Sequence, residues 1–248
     1  MGPARSVWIG YDQREAAAFA VAMYSIRRFD PYIPIKGMVL ADLQARGLYT
    51  RPTIERMNID HQRQLIDVLS ARDDYAGAIS TEHANARFLV PHLAKFGWAL
   101  FIDCDVMVLE NIDRLFSLAD QSKALMCVQH DHRPAESTKM DGQAQTQYPR
   151  KNQSSVMLFN CDHPANRRLT LDLINTRPGR DLHAFCWLDD SEIGALPAEW
   201  NYLVGYSKSA GRPKLVHFTR GLPDMPGYER QEFADEWRAM VPRAIGAL

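Results

Sequence analysis

Long apolar runs are missing from this chain of 248 residues, and so is an excess of either charge. No stretch approaches the roughly 20 consecutive apolar residues that a membrane-spanning helix requires, so we predict no transmembrane segment. The chain carries 29 basic and 30 acidic residues. Bulk charge therefore gives no reason to expect a nucleic acid or an acidic membrane surface as the partner.

Cysteine is scarce as well. The four cysteines lie far apart, without a CxxC pair or a zinc-type spacing, at Cys104, Cys127, Cys161 and Cys186. This usage is typical of free thiols in a reducing compartment. The first residues, MGPARSVWIGYDQRE, contain no apolar core of the kind that a signal peptide needs. We therefore expect a cytoplasmic protein.

Short apolar runs alternate along the chain with longer segments of helical periodicity. The runs predict strands and the periodic segments predict helices. Strands are expected at 6–10, 35–40, 98–102, 124–130, 154–160 and 214–218, and helices at 14–28, 81–96, 163–176 and 232–246. No element can be assigned over residues 41–79, and the polar residues 131–152 predict a long surface loop.

This alternation favours an α/β fold, with a mostly parallel central sheet and helices on both faces. No internal repeat or low-complexity linker divides the sequence, so we predict a single domain over residues 1–248. Within the helix expected at 81–96, Ser80 or Thr81 should act as the N-cap, and Pro91 should produce a kink.

Two aspartates, Asp103 and Asp105, directly follow the apolar run WALFI at 98–102. Ligands of open α/β sheets bind beyond the carboxyl ends of the strands, and residues i and i+2 of an extended chain face the same side. Neighbouring carboxylates repel unless a cation neutralises them, and oxygen ligands suit Mg²⁺ or Mn²⁺. His217, in the late apolar run KLVHF, is a plausible third ligand. The alternative is structural, with Asp105 capping a turn and Asp103 making a hydrogen bond.

Four segments, taken in order, resemble GT-A glycosyltransferases, most closely the family 8 group typified by glycogenin and lipopolysaccharide galactosyltransferases. They are VWIGYD, STEHANARFLVPHLAKFGWALFIDCDVMVLENIDRLF, QSSVMLFNCD and HFTRGLPDMPGY. The second segment is the most specific, because it carries the family's order of Thr, Arg, Pro and a strand ending in DxD. The resemblance implies the Rossmann-like GT-A fold and a metal-dependent hexosyltransferase.

The resemblance also implies roles for individual residues. Asp103, Asp105 and His217 would bind Mn²⁺ or Mg²⁺, which would grip the diphosphate of a nucleotide sugar, UDP-glucose or UDP-galactose. Tyr11 would stack on uracil, and Asp12 would accept a hydrogen bond from the base or ribose. The implied nucleotide-sugar contacts are Ile9, Gly10, Tyr11, Asp12, Arg87, Asp103, Cys104, Asp105, Ser154, Arg220 and Gly221.

Two family motifs are altered in this sequence, and a third is only approximated. The family's Asn-Ala/Ser-Gly is replaced by Gln153-Ser154-Ser155, so Gln153 or Ser154 would face the sugar. The phosphate-binding Lys of the terminal "KPW" is missing, and Arg220 or Lys214 would have to supply its charge.

The family's "DQD" segment is approximated by WLDDSE, which would place Asp189 and Asp190 near the reacting sugar. The resemblance implies transfer with retention, and the sequence shows no obvious nucleophile. A front-face reaction needs none, and Asp190 or Gln153 would then stabilise the positive charge on the sugar. Asp189, Asp190 and Gln153 are therefore the catalytic candidates.

Two other functions stay open from the sequence. A nucleotide-sugar-binding protein without turnover is consistent with the missing Lys and the altered Asn-Gly motif. A haloacid-dehalogenase-type phosphatase also uses a strand followed by DxD, although its motif normally opens the chain. The acceptor, whether a glycan, a lipid or a protein, cannot be read from the sequence, and no nucleic acid is expected.

Overall fold

The computed structural model describes residues 4–51, 53–58, 63–69, 76–79, 81, 83–129, 152–208 and 211–246, with side chains in these ranges except at 53–79, 152 and 153. The loop expected at 131–152 lies, apart from Asn152, outside the described residues, and so does Ser80.

Strands and α-helices interleave along the described chain, although several strands follow one another without an α-helix between them. The strands are β1 Arg5–Gly10, β2 Ile35–Met38, β3 Thr53–Asn58, β4 Arg63–Leu69, β5 Ala76–Ile79, β6 Trp98–Ile102, β7 Val106–Val108, β8 Leu125–Gln129, β9 Asn152–Asn160, β10 Ile193–Leu196, β11 Tyr202–Leu203 and β12 Leu215–His217. The helices are α1 Ala16–Arg27, α2 Leu40–Ala45, α3 His83–Ala86, α4 Val90–Ala94, α5 Asp113–Phe116, α6 Leu171–Thr176, α7 Gly179–His183 and α8 Ala234–Ile245.

Six of these strands form the central sheet, in the order β10-β8-β9-β6-β1-β2. β1 pairs in parallel with β2 and β6, and β10 pairs in parallel with β8, whereas β9 runs antiparallel to both of its neighbours. The prediction of an α/β fold with a mostly parallel sheet is confirmed. The reversal of β9 brings its first residues to the edge of the sheet at which β1 and β6 end.

Both faces of the sheet are covered by helices, because the strands are apolar on both sides. Val7 and Leu100 pack with α1 and α5 on one face. Trp8 and Phe101 pack on the other face, against α2, α4, α6 and α7. A strand buried on both faces reads as a continuous apolar run rather than an alternating one, and β6 is buried at every position.

The other described strands form two smaller sheets. β3, β4 and β5 form an antiparallel sheet in the region where the sequence assigned no element. β7 lies between the DxD segment and the helix α5, and it pairs antiparallel with β12, which in turn pairs in parallel with β11. This second sheet packs against α1 and α8 and sets the position of His217.

Two expected helices are broken. The segment 81–96 consists of α3, a 3-10 turn at Arg87–Leu89, and α4, with Pro91 in the first turn of α4. A proline is tolerated there because its missing N–H would have no helical partner, so the chain breaks before Pro91 instead of kinking at it. The segment 163–176 divides into a 3-10 helix at Pro164–Arg168 and α6, which is capped by the Thr170 side chain. No helix in the described part of the chain combines the length and the apolar character needed to cross a bilayer.

Candidate active site

Asp103, Asp105 and His217 come together at the carboxyl end of β6. One ligand atom from each lies within 4.8 Å of the others. The geometry follows from the backbone, since His217 stands opposite Val106 in the β12–β7 pair, and the Phe218 N–H donates to the Asp105 carbonyl at 2.9 Å. The Nε2 atom of His217 is 3.2 Å from Oδ2 of Asp105. The three residues predicted as metal ligands are therefore neighbours.

The chemistry of this cluster fits a divalent cation. Oδ1 of Asp105 is buried and has no hydrogen-bond partner among the described residues, and an unpaired buried carboxylate oxygen costs free energy unless a ligand satisfies it. Two carboxylates and one imidazole form a mixed oxygen and nitrogen donor set that suits Mn²⁺ or Mg²⁺. Burial would lower the pKa of His217, but the Asp105 carboxylate raises that pKa above its ordinary value.

Arg87 links Asp103 to the start of β9. Its Nη2 lies 2.9 Å from Asp103 Oδ1, and its Nη1 donates to the Ser154 carbonyl at 2.9 Å. Burial would raise the pKa of Asp103, but the Arg87 guanidinium and a hydrogen bond from His83 hold that pKa well below its usual range. Arg87 thus keeps Asp103 ionised and lies beside the cluster; its contact with the donor sugar and phosphate stays a prediction.

His83 is a site residue that the sequence analysis missed. Its ring is buried and its Nε2 lies 3.2 Å from Oδ1 of Asp103. The ring rests against Gly10, where a Cβ atom would overlap the imidazole carbons. Close packing against His83 is therefore sufficient to explain the glycine that ends β1, and its contact with a nucleotide stays a prediction.

We expect Gly10→Ala to lower the free energy of unfolding by about 1–3 kcal/mol, the usual cost of overpacking, because the methyl group must displace His83. The measurement is urea unfolding followed by circular dichroism. Gly211→Ala is the matched control, since a Cβ at Gly211 would meet no described atom within 4 Å. Equal free energies for the two variants would contradict this account of Gly10.

The end of β1 reaches the same edge of the sheet. Ile9 is fully buried, and Tyr11 is half-buried, with its ring edge-on to Phe19 at 5.2 Å. Both oxygens of Asp12 are engaged by Arg14, at 2.9 Å from Nε and 2.5 Å from Nη2. The structure thus gives Asp12 a local role, since it also caps the 3-10 turn at Gln13–Glu15.

Cys104 lies between the two aspartates, but its side chain points away from them into the core. The thiol is fully buried and donates to Oε2 of Glu15 at 3.1 Å. Burial and the neighbouring Glu15 carboxylate raise the pKa of Cys104 well above its usual value. Burial also raises the pKa of Glu15, and the Asp105 carboxylate adds to this effect. A thiol with a raised pKa is a poor nucleophile.

The start of β9 borders the cluster. The Asp103 N–H donates to the Ser155 carbonyl at 3.0 Å. Oγ of Ser154 is 2.6 Å from Nδ1 of His183, which ends α7. The side chain of Gln153 lies outside the described part of the structure. His183 is a second missed residue, and its only signal in the sequence is its position in a short helical segment that the analysis did not assign.

Asp189 and Asp190 do not join this group. They directly precede β10, which runs parallel to β8, so they lie at the amino end of β10. The cluster lies beyond the carboxyl ends of β1 and β6, at the opposite edge of the sheet. Both aspartates are exposed, and the Asp189 N–H donates to Glu192 at 2.8 Å. The structure therefore does not bring this pair to the cluster, beside which the resemblance placed the reacting sugar.

The two replacements considered for the missing Lys are placed differently. Lys214 precedes β12 and pairs with Glu199 at 2.5 Å, so it lies at the end of the strand away from His217. Arg220 follows His217 by three residues and is exposed, with its guanidinium 5.6 Å from the centre of the Tyr206 ring. Gly221 is buried next to it. Arg220 therefore follows the end of β12 that carries His217, whereas Lys214 lies at the other end of that strand.

Comparisons with known proteins identify a family and a relative that resemble this chain. The model of glycosyl transferase family 8 matches residues 19–221. "Protein CDI" of Arabidopsis thaliana is 42% identical over 238 residues, which cover 93% of this chain and 83% of that protein.

Solved glycosyltransferase structures share the fold. The galactosyltransferase LgtC, solved with donor and acceptor sugar analogs, superposes with a TM-score of 0.59 at 13% identity, over 96% of this chain and 95% of LgtC. The glycosyltransferase GlyE of Streptococcus pneumoniae TIGR4 gives 0.61 at 14% identity, over 97% of this chain and 60% of GlyE. The bifunctional glycosyltransferase WbbM gives 0.61 at 17% identity over 97% of this chain, which spans half of the WbbM chain.

Proposed function

Because the chain belongs to glycosyl transferase family 8 and is a hexosyltransferase, we propose that it transfers a hexose from UDP-glucose or UDP-galactose to a hydroxyl group of an acceptor, with retention at the anomeric carbon. The observation that carries this proposal is the cluster of Asp103, Asp105 and His217 at the strand ends, with ligand atoms within 4.8 Å of one another. Members of the family generally depend on a divalent metal, and this cluster is the candidate site for it in the described residues.

Asp103, Asp105 and His217 would hold Mn²⁺ or Mg²⁺. When bound, such an ion neutralises the negative charge that grows on the leaving diphosphate. The protein's own part is to fix the three ligands. Two backbone hydrogen bonds do this from two sides: the Asp103 N–H donates to the Ser155 carbonyl, and the Phe218 N–H donates to the Asp105 carbonyl. Preorganised ligands require no rearrangement during the reaction.

Arg87 is proposed to act on the same charge. Its guanidinium is buried between Asp103 and the Ser154 carbonyl, and a cation in a water-poor site interacts more strongly with an anion than it would in water. Arg87 therefore orients Asp103 and adds positive potential on the side of the sheet where a donor phosphate would lie. Arg220, exposed beyond β12, is proposed to meet the diphosphate from the other side.

The surroundings of the cluster support a front-face reaction without an enzyme nucleophile. The Cys104 thiol is buried against Glu15, and the Asp12 carboxylate is paired with Arg14. Both side chains are therefore held by other groups of the protein. Ser154 and His183, which share a 2.6 Å hydrogen bond at the start of β9, are proposed to line the sugar side together with Gln153. The acceptor hydroxyl would then pass its proton to the leaving phosphate.

Thermal unfolding with nucleotides tests the donor site. Wild-type protein is heated with UDP or GDP, each with and without Mn²⁺. A ligand at 100 times its dissociation constant should add about 2.7 kcal/mol of stability, which raises the Tm by roughly 5–10 °C for a chain of this size. We expect this shift for UDP only when Mn²⁺ is present, because the cluster would hold the cation whose charge neutralises the diphosphate.

Asp105→Ala should remove the shift, since Asp105 supplies a ligand and carries the unpaired buried oxygen. Asp235→Ala is the matched control, because the Asp235 side chain is 94% exposed and pairs only at the surface with Arg238. A shift that persists in Asp105→Ala would exclude this metal site. No shift with either nucleotide in the wild type would argue against a nucleotide-sugar donor, and binding without donor turnover would favour the binding-protein alternative.

A further inference from the structure

Asn201 is a fully buried polar residue that touches one of the proposed metal ligands. It follows the 3-10 helix Ala198–Trp200 and directly precedes β11. Its Oδ1 lies 3.2 Å from Nδ1 of His217, and its Nδ2 donates to Oγ of Ser155 at 2.9 Å. The amide thus connects His217 to the first residues of β9.

These contacts close a ring around the cluster. The Ser155 carbonyl accepts the N–H of Asp103 at 3.0 Å, and on the other side Nε2 of His217 faces Asp105 at 3.2 Å. Asn201 therefore lies at the point where the two halves of the site meet: the half carried by β6 and β9, and the half carried by β7 and β12.

The contact determines which nitrogen of His217 is available to a cation. A neutral imidazole carries one proton, and the nitrogen without it is the one that binds a metal. Asn201 Oδ1 only accepts hydrogen bonds, so it favours the proton on Nδ1. The lone pair then lies on Nε2, the atom that faces Asp105. A hydrogen bond to the distal nitrogen of a ligating histidine fixes its ring and its tautomer.

We propose that Asn201 is a positioning residue for the metal centre. Asn201 holds His217 in the Nδ1–H tautomer, with Nε2 directed at the cation, and Ser155 fixes the rotamer of Asn201. The inference rests on the proposed function, because it requires a cation at Asp103, Asp105 and His217. It adds a residue that does not itself contact the cation or the substrate.

The test measures Mn²⁺ binding directly, by the electron paramagnetic resonance signal of free Mn²⁺, with and without UDP. Asn201→Leu keeps the approximate volume but removes the acceptor, and we expect it to weaken Mn²⁺ binding about 10- to 100-fold, as loss of a supporting hydrogen bond does at other metal sites. Asn201→Asp retains an acceptor for Nδ1–H, and the Ser155 hydroxyl can turn to donate to it. This variant should bind Mn²⁺ within about threefold of wild type.

Two further measurements keep the inference testable if Asn201→Leu does not fold. Ser155→Ala leaves the amide in place without its anchor, and it should weaken Mn²⁺ binding by less than Asn201→Leu is expected to. Nitrogen-15 NMR of histidine-labelled protein with Mg²⁺, assigned with His217→Asn, should show a proton on Nδ1 of His217.

The outcomes separate this inference from the proposed function. A wild type that binds no Mn²⁺, even with UDP, would remove the metal site and the role of Asn201 with it. A wild type that binds Mn²⁺ while a folded Asn201→Leu binds it equally well would refute only the inference. So would a folded Asn201→Asp that binds as weakly as Asn201→Leu, or an Nδ1 atom without a proton.

Discussion

Arg87→Met should cost about 3–5 kcal/mol of folding free energy, the range measured when one partner of a buried ion pair is removed. Arg87 and Asp103 are both largely buried and lie 2.9 Å apart. Methionine fills much of the volume beside Phe101, over which the guanidinium now lies at 5.0 Å. It leaves the Asp103 carboxylate without its guanidinium partner, with only the imidazoles of His83 and His217 as basic neighbours among the described side chains. The Tm should fall by roughly 10 °C, measured in EDTA so that no metal compensates.

Two comparisons identify the cause of this loss. Arg114→Met is the matched control: Arg114 is 68% exposed and pairs with Glu110 at 3.6 Å, so its removal should change stability by less than about 1 kcal/mol. Asp103→Asn added to Arg87→Met removes the charge left unpaired, and it should recover part of the stability, which a double-mutant cycle measures. A loss below about 1 kcal/mol for Arg87→Met, or a double variant less stable than the single one, would contradict a buried charge pair.

The centre of the site was predictable because its signals are local. Asp103 and Asp105 follow an apolar run that is buried on both faces, and such a run has few possible places other than the middle of a sheet. The carboxyl end of a central strand is where α/β proteins bind ligands. His217 ended a second apolar run, and the pairing of β12 with β7 brings it to Asp105. Position along the chain and apolar content were enough for these three.

The direction of a strand was not predictable in the same way. An apolar run does not reveal whether it lies parallel or antiparallel to its neighbours. The predicted strand at 154–160 is β9, which is reversed, so its beginning rather than its end borders the site. Asp189 and Asp190 were misplaced for a related reason, since the strand that follows them runs parallel to β8 and carries them to the opposite edge of the sheet.

His83, His183 and Asn201 were missed because their roles arise from tertiary contacts. Each lies in a segment whose sequence pattern predicts local structure but no functional role. Their partners Asp103, Ser154 and His217 lie 16 to 29 residues away in sequence. A buried polar side chain needs a hydrogen-bond partner, but the identity of that partner depends on which strands are neighbours. Gly10 did carry a signal, yet its cause, the His83 ring, lies still farther away along the chain.

The supporting residues explain how two separate parts of the chain form one site. The central sheet supplies Asp103 through β6, and the small sheet of β7, β11 and β12 supplies His217. Ser155 and Asn201 join the two at their common border. Metal and catalytic ligands must be held within fractions of an ångström of their working geometry, and a continuous set of buried hydrogen bonds provides this rigidity more reliably than an exposed loop does.

Asp105→Asn should reduce turnover of the UDP-sugar donor by about 10²- to 10³-fold in kcat/KM, the usual effect of losing one preorganised electrostatic group. The substitution keeps the size of the side chain but removes the negative charge that would bind the cation. The buried oxygen without a partner then belongs to a neutral amide. The measurement is release of UDP from UDP-glucose and UDP-galactose with Mn²⁺, with water or a panel of glycan acceptors.

Asp190→Asn gives the contrasting result, because Asp190 and the metal ligands are at opposite edges of the sheet. Turnover should stay within about twofold of wild type, as for the surface control Asp235→Asn, since electrostatic effects between exposed charges are largely screened beyond roughly 10 Å. A loss in Asp190→Asn comparable to that in Asp105→Asn would restore the role that the family resemblance gave to Asp190, and would require the chain before β10 to reach the sugar. Unchanged turnover in both variants would remove the carboxylate pair at the end of β6 from the mechanism. The combination expected here, a large loss at Asp105 and none at Asp190, would leave the residues at the start of β9 to stabilise the sugar.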